Sequence, residues 1–202
     1  MIATRSINLS EHEVLAALDD RLGLVVRPVR PTVKGCKVGA YYTSKCTVEP
    51  VNVQEDGDPW DDIPCPFGGP GDRLVCRETW KNRWGHEFNH IQDAGDILYR
   101  ADGEYLTAKE DAADEPWRSP ATMPAWASRI TLEVEGVKVC RAFDLTGKDS
   151  LAWGLTLKSK DEQGVIDLAR ECRDAWNHRY GKRYPWESSP WVWAVNVKRV
   201  LA

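Results

Sequence analysis

Apolar residues alternate with polar ones over residues 129–143, and this alternation constrains the fold more than any other feature. Ile130, Leu132 and Val134 take every second position. A period of two is typical of a β-strand that buries one face. The pattern therefore predicts a long strand, interrupted at Gly136 by a turn or a β-bulge. Such a strand needs partners, so the fold must contain a sheet.

Two helix-start patterns and one long helical segment accompany this strand. Ser10 and Glu13 form a capping box that predicts a short helix to about residue 19. Thr146 and Asp149 repeat the pattern before another short helix. Residues 161–180 predict the longest helix, which ends before a glycine. The residues expected on its core-facing side are Val165, Ala169, Cys172, Trp176 and Tyr180.

Short strands fill most of the remaining chain, which gives about six to eight strands with two or three helices. The helices do not alternate regularly with the strands, so a doubly wound parallel sheet is not expected. We predict one α+β domain over residues 1–202, a small mixed barrel with peripheral helices and irregular insertions at about 55–71 and 102–128. The other predicted strands cover residues 22–26, 37–42, 48–53, 74–80, 97–100 and 191–200.

The net charge of −4 is unevenly distributed. Residues 55–62 and 102–116 together hold −10, so the rest of the chain carries +6. A basic face beside acidic loops would suit nucleic acid, although the loops are equally explained as solvated surface. No apolar run approaches the roughly 20 residues of a membrane span. The first ten residues lack the apolar core of a signal peptide, so we expect a cytoplasmic protein without a membrane partner.

The segment His86–His90 matches the HExxH pattern, in which two histidines on one helical face bind zinc. Gly85 precedes it, and the segment is short and polar, which favours a surface loop. The six cysteines contain no C-x-x-C pair and are interpreted as small buried hydrophobic residues. We therefore predict neither a metal site nor a cofactor.

Residues 65–80, CPFGGPGDRLVCRETW, place a tight Gly/Pro turn before a strand. On that strand Arg77 would face one side, with Glu78 and Trp80 on the other. A carboxylate beside an indole could hold a base by hydrogen bonding and stacking. The alternative is a Glu–Arg pair that joins two strands.

This segment resembles the signature of an ASCH-like family of phages and prophages, whose members are often described as phage morphogenetic proteins. The likeness continues through residues 99–103 and 117–132, and it resumes at Trp176 and 189–193. The resemblance implies a PUA-like β-barrel that binds RNA. Relatives include amidohydrolases that deacylate 4-acetylcytidine with a Lys, a Thr and a Glu, and others to which ribonuclease activity is attributed.

The amino-terminal part departs from that family pattern. Residues 20–27 have apolar residues or glycine where the family carries its Lys and Thr, and only Arg27 remains. Leucine and valine cannot act as a base or a nucleophile. The departure removes the family's catalytic Lys and Thr and counts against hydrolysis, because an amidohydrolase or nuclease would need Glu78 as its catalytic residue together with a base that the sequence does not identify.

The leading hypothesis is binding of RNA, single-stranded nucleic acid or a nucleotide-like ligand. Arginines would contact phosphates, Trp80 would stack, and Glu78 would read a base edge or act in catalysis. The alternatives are a nucleoside hydrolase or nuclease, and a phage factor that binds a host protein through its acidic loops. The candidate phosphate-binding residues are Arg27, Arg30, Arg77 and Arg129.

Overall fold

The computed structural model describes residues 2–31, 36–42, 48–54, 59–82, 97–103 and 116–200. Within these ranges the chain forms ten strands and three α-helices, with short 3₁₀ turns between them. In chain order they are β1 (Thr4–Asn8), α1 (Glu11–Leu18), β2 (Leu24–Pro28), β3 (Lys37–Tyr42), β4 (Val48–Val53), β5 (Pro59–Asp62), β6 (Arg73–Arg77), β7 (Trp80–Asn82), β8 (Ile97–Tyr99), β9 (Thr131–Arg141), α2 (Gly147–Ala152), α3 (Glu162–Tyr180) and β10 (Trp191–Val200).

A five-stranded sheet in the order β1-β6-β9-β10-β2 is the centre of the fold. β1 and β6 are parallel, and the other neighbours are antiparallel. The alternation that predicted β9 is confirmed, because Leu132 and Val134 are buried between less buried neighbours. The pairing with β10 shifts between Asn196 and Val197, opposite Gly136. The interruption at Gly136 is therefore a β-bulge and not a turn.

Two smaller sheets complete the described strands, one of β3, β4 and β5 and one of β7 and β8. The α+β class predicted from sequence is confirmed. The hydrogen-bonded strands of the described residues form three separate sheets, without closing into one barrel.

Every strand of the central sheet contributes to one apolar core cluster. Its members include Ile7 of β1 and Val25 of β2, which lie at opposite edges of the sheet. The sheet curves around this cluster, because Arg27 of β2 donates a hydrogen bond to the Asn8 carbonyl of β1 at the opposite edge. Each fully buried aliphatic side chain stabilises the fold by about 1.5–3 kcal/mol. Inner strands contribute Leu74, Leu132 and Val195.

The opposite face of the sheet is covered by α2 and α3, which bury Trp153 and Trp176. The core-facing side of α3 differs from the prediction in its amino-terminal half, because Val165 is 56% exposed and Ala169 is exposed too. Gly164 faces inward instead, since any β-carbon there would overlap the backbone of Ser159. The buried residues of α3 are Gly164, Leu168, Cys172 and Trp176.

The predicted strand over residues 74–80 is two strands. β6 ends at Arg77, and β7 begins at Trp80 in a different sheet. The strand predicted at 22–26 lies two residues further along as β2 and includes Pro28. A proline is tolerated there because β2 is an edge strand.

The Gly/Pro turn before β6 is tied to the amino-terminal strand. Gly68 and Gly71 have φ angles of 87° and 90°, a left-handed region that favours glycine. Asp72 accepts hydrogen bonds from the backbone N–H groups of Ala3 and Gly69, at 2.9 and 3.1 Å. The motif therefore fixes a turn.

None of the helices in the described ranges is both long enough and apolar enough to cross a membrane.

Candidate functional site

A buried carboxylate, Glu13, lies at the centre of the densest polar cluster. It is the capping-box residue of α1 and accepts a hydrogen bond from the backbone N–H of Ser10 at 2.7 Å. Its Oε1 also accepts from Arg27 Nη1 at 2.6 Å and from Trp153 Nε1 at 2.7 Å. Arg179 Nη1 donates to Oε2 at 3.1 Å. We call these five residues the Glu13 cluster.

Arg27 is held inside the protein, with 6% of its surface exposed. Both of its terminal nitrogens donate to Glu13. They also donate to the backbone carbonyls of Val26 and Asn8, each at 2.8 Å. Four of the five N–H groups of the guanidinium are thereby satisfied. These bonds give Arg27 a structural role that connects β2 to α1 and to the end of β1, and they leave one N–H group for the predicted phosphate contact.

Arg179, in the last turn of α3, is the second guanidinium on the same carboxylate. Its Nη2 donates to the Asn8 carbonyl at 2.6 Å, and 24% of its side chain is exposed. Burial, and next the charge of Arg27, lower the pKa of Arg179. Burial alone would raise the pKa of Glu13, but Arg27 and then Arg179 lower it to about 2. One carboxylate thus faces two guanidiniums and leaves one positive charge without a partner.

A cavity of about 620 Å³ opens between β1, β2 and the end of α3, and we call it the seam cavity. Its polar lining is Asn8, Arg27, Arg30, Arg179 and Tyr180, and no acidic residue is among the described residues that line it. Arg30 is exposed and pairs with no described residue. The apolar walls are Ile7, Pro28, Pro31, Ile63, Pro64, Pro66, Phe67 and Trp193.

The hydroxyl of Tyr180 is the unsatisfied polar atom of the seam cavity. It is buried and has no hydrogen-bond partner among the described residues. Burial raises the pKa of Tyr180, so the hydroxyl keeps its proton near neutral pH. A buried hydroxyl without a partner costs the folded state about 1–3 kcal/mol.

A second hollow of about 550 Å³ lies on the other side of Arg179, between α1 and α3, and we call it the helix cleft. His12 forms part of its lining, and its ring packs edge-on against Trp153 with 5.3 Å between centroids. Burial lowers the pKa of His12, which keeps the imidazole neutral near pH 7. The lining also includes Asn8, Glu11, Thr79, Arg100, Ser119, His178 and Arg179.

Glu78 and Arg129 form a separate buried pair. Arg129 donates from Nε and Nη2 to the two carboxylate oxygens at 2.8 and 2.9 Å. Its Nη1 lies 2.7 Å from Asp102, and its guanidinium stacks on Tyr99 at 4.1 Å. Burial raises the pKa of Glu78, although Arg129 opposes this. The arrangement is the Glu–Arg pair that the sequence left open as an alternative.

The hollow that Glu78 lines among the described residues is too small for a nucleoside. The hollow that Glu78 lines holds about 10 Å³, which is close to the volume needed by a single water. Both carboxylate oxygens are already bound by Arg129. In the described part of the chain, the carboxylate of Glu78 therefore serves as the partner of Arg129.

Trp80 and Arg77, which were also predicted to bind the ligand, do not line the seam cavity. Trp80 is fully buried against Ile97 and Met123 and exposes no ring face for stacking. Arg77 donates to the Ala121 carbonyl at 3.2 Å, and its Nε is buried without a partner in the described ranges. The structure brings only Arg27 and Arg30 of the predicted residues to the seam cavity.

The HExxH segment, residues 86–90, lies outside the described residues, as do most of the acidic segments. Within the described ranges no three His, Cys, Asp or Glu side chains are placed to hold a metal ion.

Sequence reasoning missed Arg179, Trp153 and Tyr180, and it assigned Glu13 only a capping role. The capping box marked Glu13, but nothing local indicated that its side chain faces the core. Arg179 is 166 residues away in the chain, so no short pattern connects the two.

Comparisons with protein-family models, with curated proteins and with solved structures find no match to this chain.

Proposed function

We propose that the protein binds single-stranded nucleic acid, RNA or a nucleotide-like ligand in the seam cavity, with a phosphate at Arg179 and Arg30. The observation that carries the proposal is the pair of guanidiniums on one carboxylate, Glu13, at the wall of a cavity without acidic lining. An anion would neutralise the positive charge that Glu13 leaves without a partner.

Arg179 and Arg30 both have N–H groups that can donate hydrogen bonds to a phosphate. Hydrogen bonds to Glu13 and Asn8 use two of the five N–H groups of Arg179. Arg30 forms no bond to a described residue and is exposed at the cavity mouth. Guanidiniums bind phosphate oxygens through short, charge-assisted hydrogen bonds, often two at once.

The rest of the cavity suits a base. Half-buried Phe67 supplies aromatic surface among prolines. A volume of about 620 Å³ falls in the range of small-ligand pockets. Aromatic stacking contributes about 1–3 kcal/mol per base and tolerates different sequences.

The fold is proposed to be a PUA-like barrel that is incompletely closed. Two features support this: the curved five-stranded sheet, and the contact of Arg27 in β2 with the Asn8 carbonyl of β1 across its open edge. The motif of residues 65–80 contributes Pro66 and Phe67 to the seam cavity, which connects the family resemblance with the proposed site.

The test is binding of labelled single-stranded RNA and DNA at low and moderate salt by the wild type and Arg179→Gln. Wild-type affinity should fall with salt by a slope of roughly 0.7 per phosphate contacted. Arg179→Gln should bind at least about tenfold more weakly, which corresponds to about 1.4 kcal/mol. The fold should persist, since Arg27 still pairs with Glu13 and still donates to Asn8.

The matched control is Arg173→Gln, which removes an exposed arginine from the same helix, outside both hollows. It should bind as the wild type does. A wild type that binds no RNA, DNA or nucleotide at low salt would overturn the proposal.

A further inference from the structure

The seam cavity and the helix cleft are neighbours that share two lining residues, Asn8 and Arg179. The carbonyl of Asn8 is occupied by hydrogen bonds from Arg27 and Arg179. Arg179 therefore lines both hollows, which hold about 620 and 550 Å³.

The helix cleft has the polar groups that a second nucleotide needs. Thr79 and Ser119 provide hydroxyls, and His178 provides an exposed ring at the end of α3. Arg100 lies 3.6 Å from Glu11, a loose pair at the surface that a phosphate can compete for. The cleft thus offers donors to a sugar-phosphate and an imidazole to a base.

We propose that the ligand is a two-nucleotide unit of a single strand, with one nucleotide in the seam cavity, the next in the helix cleft, and the phosphate between them on Arg179. This inference rests on the proposed function and specifies its substrate class. A mononucleotide would fill one hollow and leave the other hydrated. A dinucleotide would fill both and place its linking phosphate at the charge that Glu13 leaves without a partner.

The charge on α3 limits the strand to these two positions. A third hollow, of about 630 Å³, continues past His12 and Ala175 of the helix cleft. Its lining adds Asp167, Glu171 and Asp174 against Lys158 and Arg170. Each of these acids pairs with a base, Lys158, Arg170 or Arg173, so the hollow has no excess positive charge for a further phosphate and nucleotides beyond the second gain little from this surface.

The experiment compares competitors of length one, two and three against a fluorescent single-stranded oligonucleotide. Each competitor is a 5′-phosphorylated pool that contains all four bases, in a ribose and a deoxyribose series. The dinucleotide pool should compete at least about tenfold better than the mononucleotide pool. The trinucleotide pool should compete less than about threefold better than the dinucleotide pool, because the third hollow has no excess positive charge for another phosphate.

Three variants test which hollow binds which nucleotide. His178→Ala removes an exposed side chain of the helix cleft and should abolish the advantage of the dinucleotide while mononucleotide affinity stays unchanged. Arg30→Gln should weaken competitors of every length. Arg173→Gln, outside both hollows, should leave all affinities at the wild-type values.

Each result of the competition experiment bears on one of the two proposals or on both. Equal competition by mononucleotides and dinucleotides would overturn the two-nucleotide site and leave the proposed function standing. An equal gain in affinity with every added nucleotide would overturn the limit of two bound nucleotides. Failure of every pool, together with failure of the oligonucleotide to bind, would overturn both.

Discussion

At the scale of single residues, the protein places three ionised side chains of the Glu13 cluster where water is largely excluded. Glu13 is completely buried and is stabilised as a carboxylate by six hydrogen-bond donors on four residues. Breaking a buried pair by removing one partner costs about 3–5 kcal/mol, because an uncompensated charge remains. Stability and ligand binding thus depend on the same carboxylate in different ways.

Glu13→Gln should destabilise the protein by roughly 3–5 kcal/mol, since Arg27 and Arg179 would then repel one another without a carboxylate between them. Urea unfolding of the variant and of Glu162→Gln, which changes an exposed carboxylate of α3, measures this. Equal stability of the two variants would contradict the role assigned to Glu13.

The carboxylate of Glu13 should also make the free energy of unfolding depend on pH. The pKa of Glu13 falls from 4.5 to about 2 in the folded state, so the unfolded chain binds its proton first as the pH drops. The contribution is fully present above about pH 4.5 and disappears towards pH 2, and it amounts to roughly 3 kcal/mol. Urea midpoints across this range should fall less steeply for Glu13→Gln than for the wild type.

Glu78→Gln should reduce stability by roughly 1–3 kcal/mol and leave nucleic-acid affinity unchanged. The variant loses the carboxylate that binds Arg129, but Asp102 still pairs with that arginine. Urea unfolding and binding are measured on the same preparation. Loss of binding with intact stability would instead place Glu78 in the ligand site.

At the scale of elements, α3 fixes the geometry of the site. Its buried residues pack against β2 and β10, and its last turn presents Arg179 and Tyr180 to the seam cavity. Its first turn is positioned by Gly164, whose hydrogen atoms leave room for the Ser159 carbonyl. A shift at the start of this helix therefore moves the residues at its end.

Two glycine substitutions should change the free energy of unfolding in opposite directions. Gly164→Ala would overlap the Ser159 backbone and should destabilise the protein by about 1–3 kcal/mol. Gly147→Ala in α2 meets only Leu168, at 3.9 Å, and should stabilise by roughly 0.5–1 kcal/mol through helix propensity. Thermal unfolding of both variants tests the packing, and equal effects would contradict it.

At the scale of the whole molecule, a ligand in the seam cavity would connect both edges of the central sheet and the end of α3. These parts are far apart in sequence, so the bound state should resist global unfolding. A ligand at one hundred times its Kd should stabilise the protein by about 2.7 kcal/mol. The melting temperature of the wild type should rise accordingly, whereas that of Arg30→Gln should rise less at the same ligand concentration.

Much of the secondary structure could be predicted because its signals are local. The bounds of β3, β4 and β10 match the predicted strands, and both capping boxes start helices. Even the motif of residues 65–80 acts locally, as a glycine turn whose φ angles the sequence requires. The strand predicted across Arg77 and Trp80 failed because a change of sheet depends on distant partners.

The sequence by itself determined the α+β class, the helix starts and the long strand. Only the tertiary structure decided that Arg27 is structural, that Glu78 pairs with Arg129, and that Arg179 meets Glu13. Those outcomes join residues up to 166 positions apart. Local propensity and spacing act over a few residues, whereas the charge balance of a buried site depends on every segment that folding brings there.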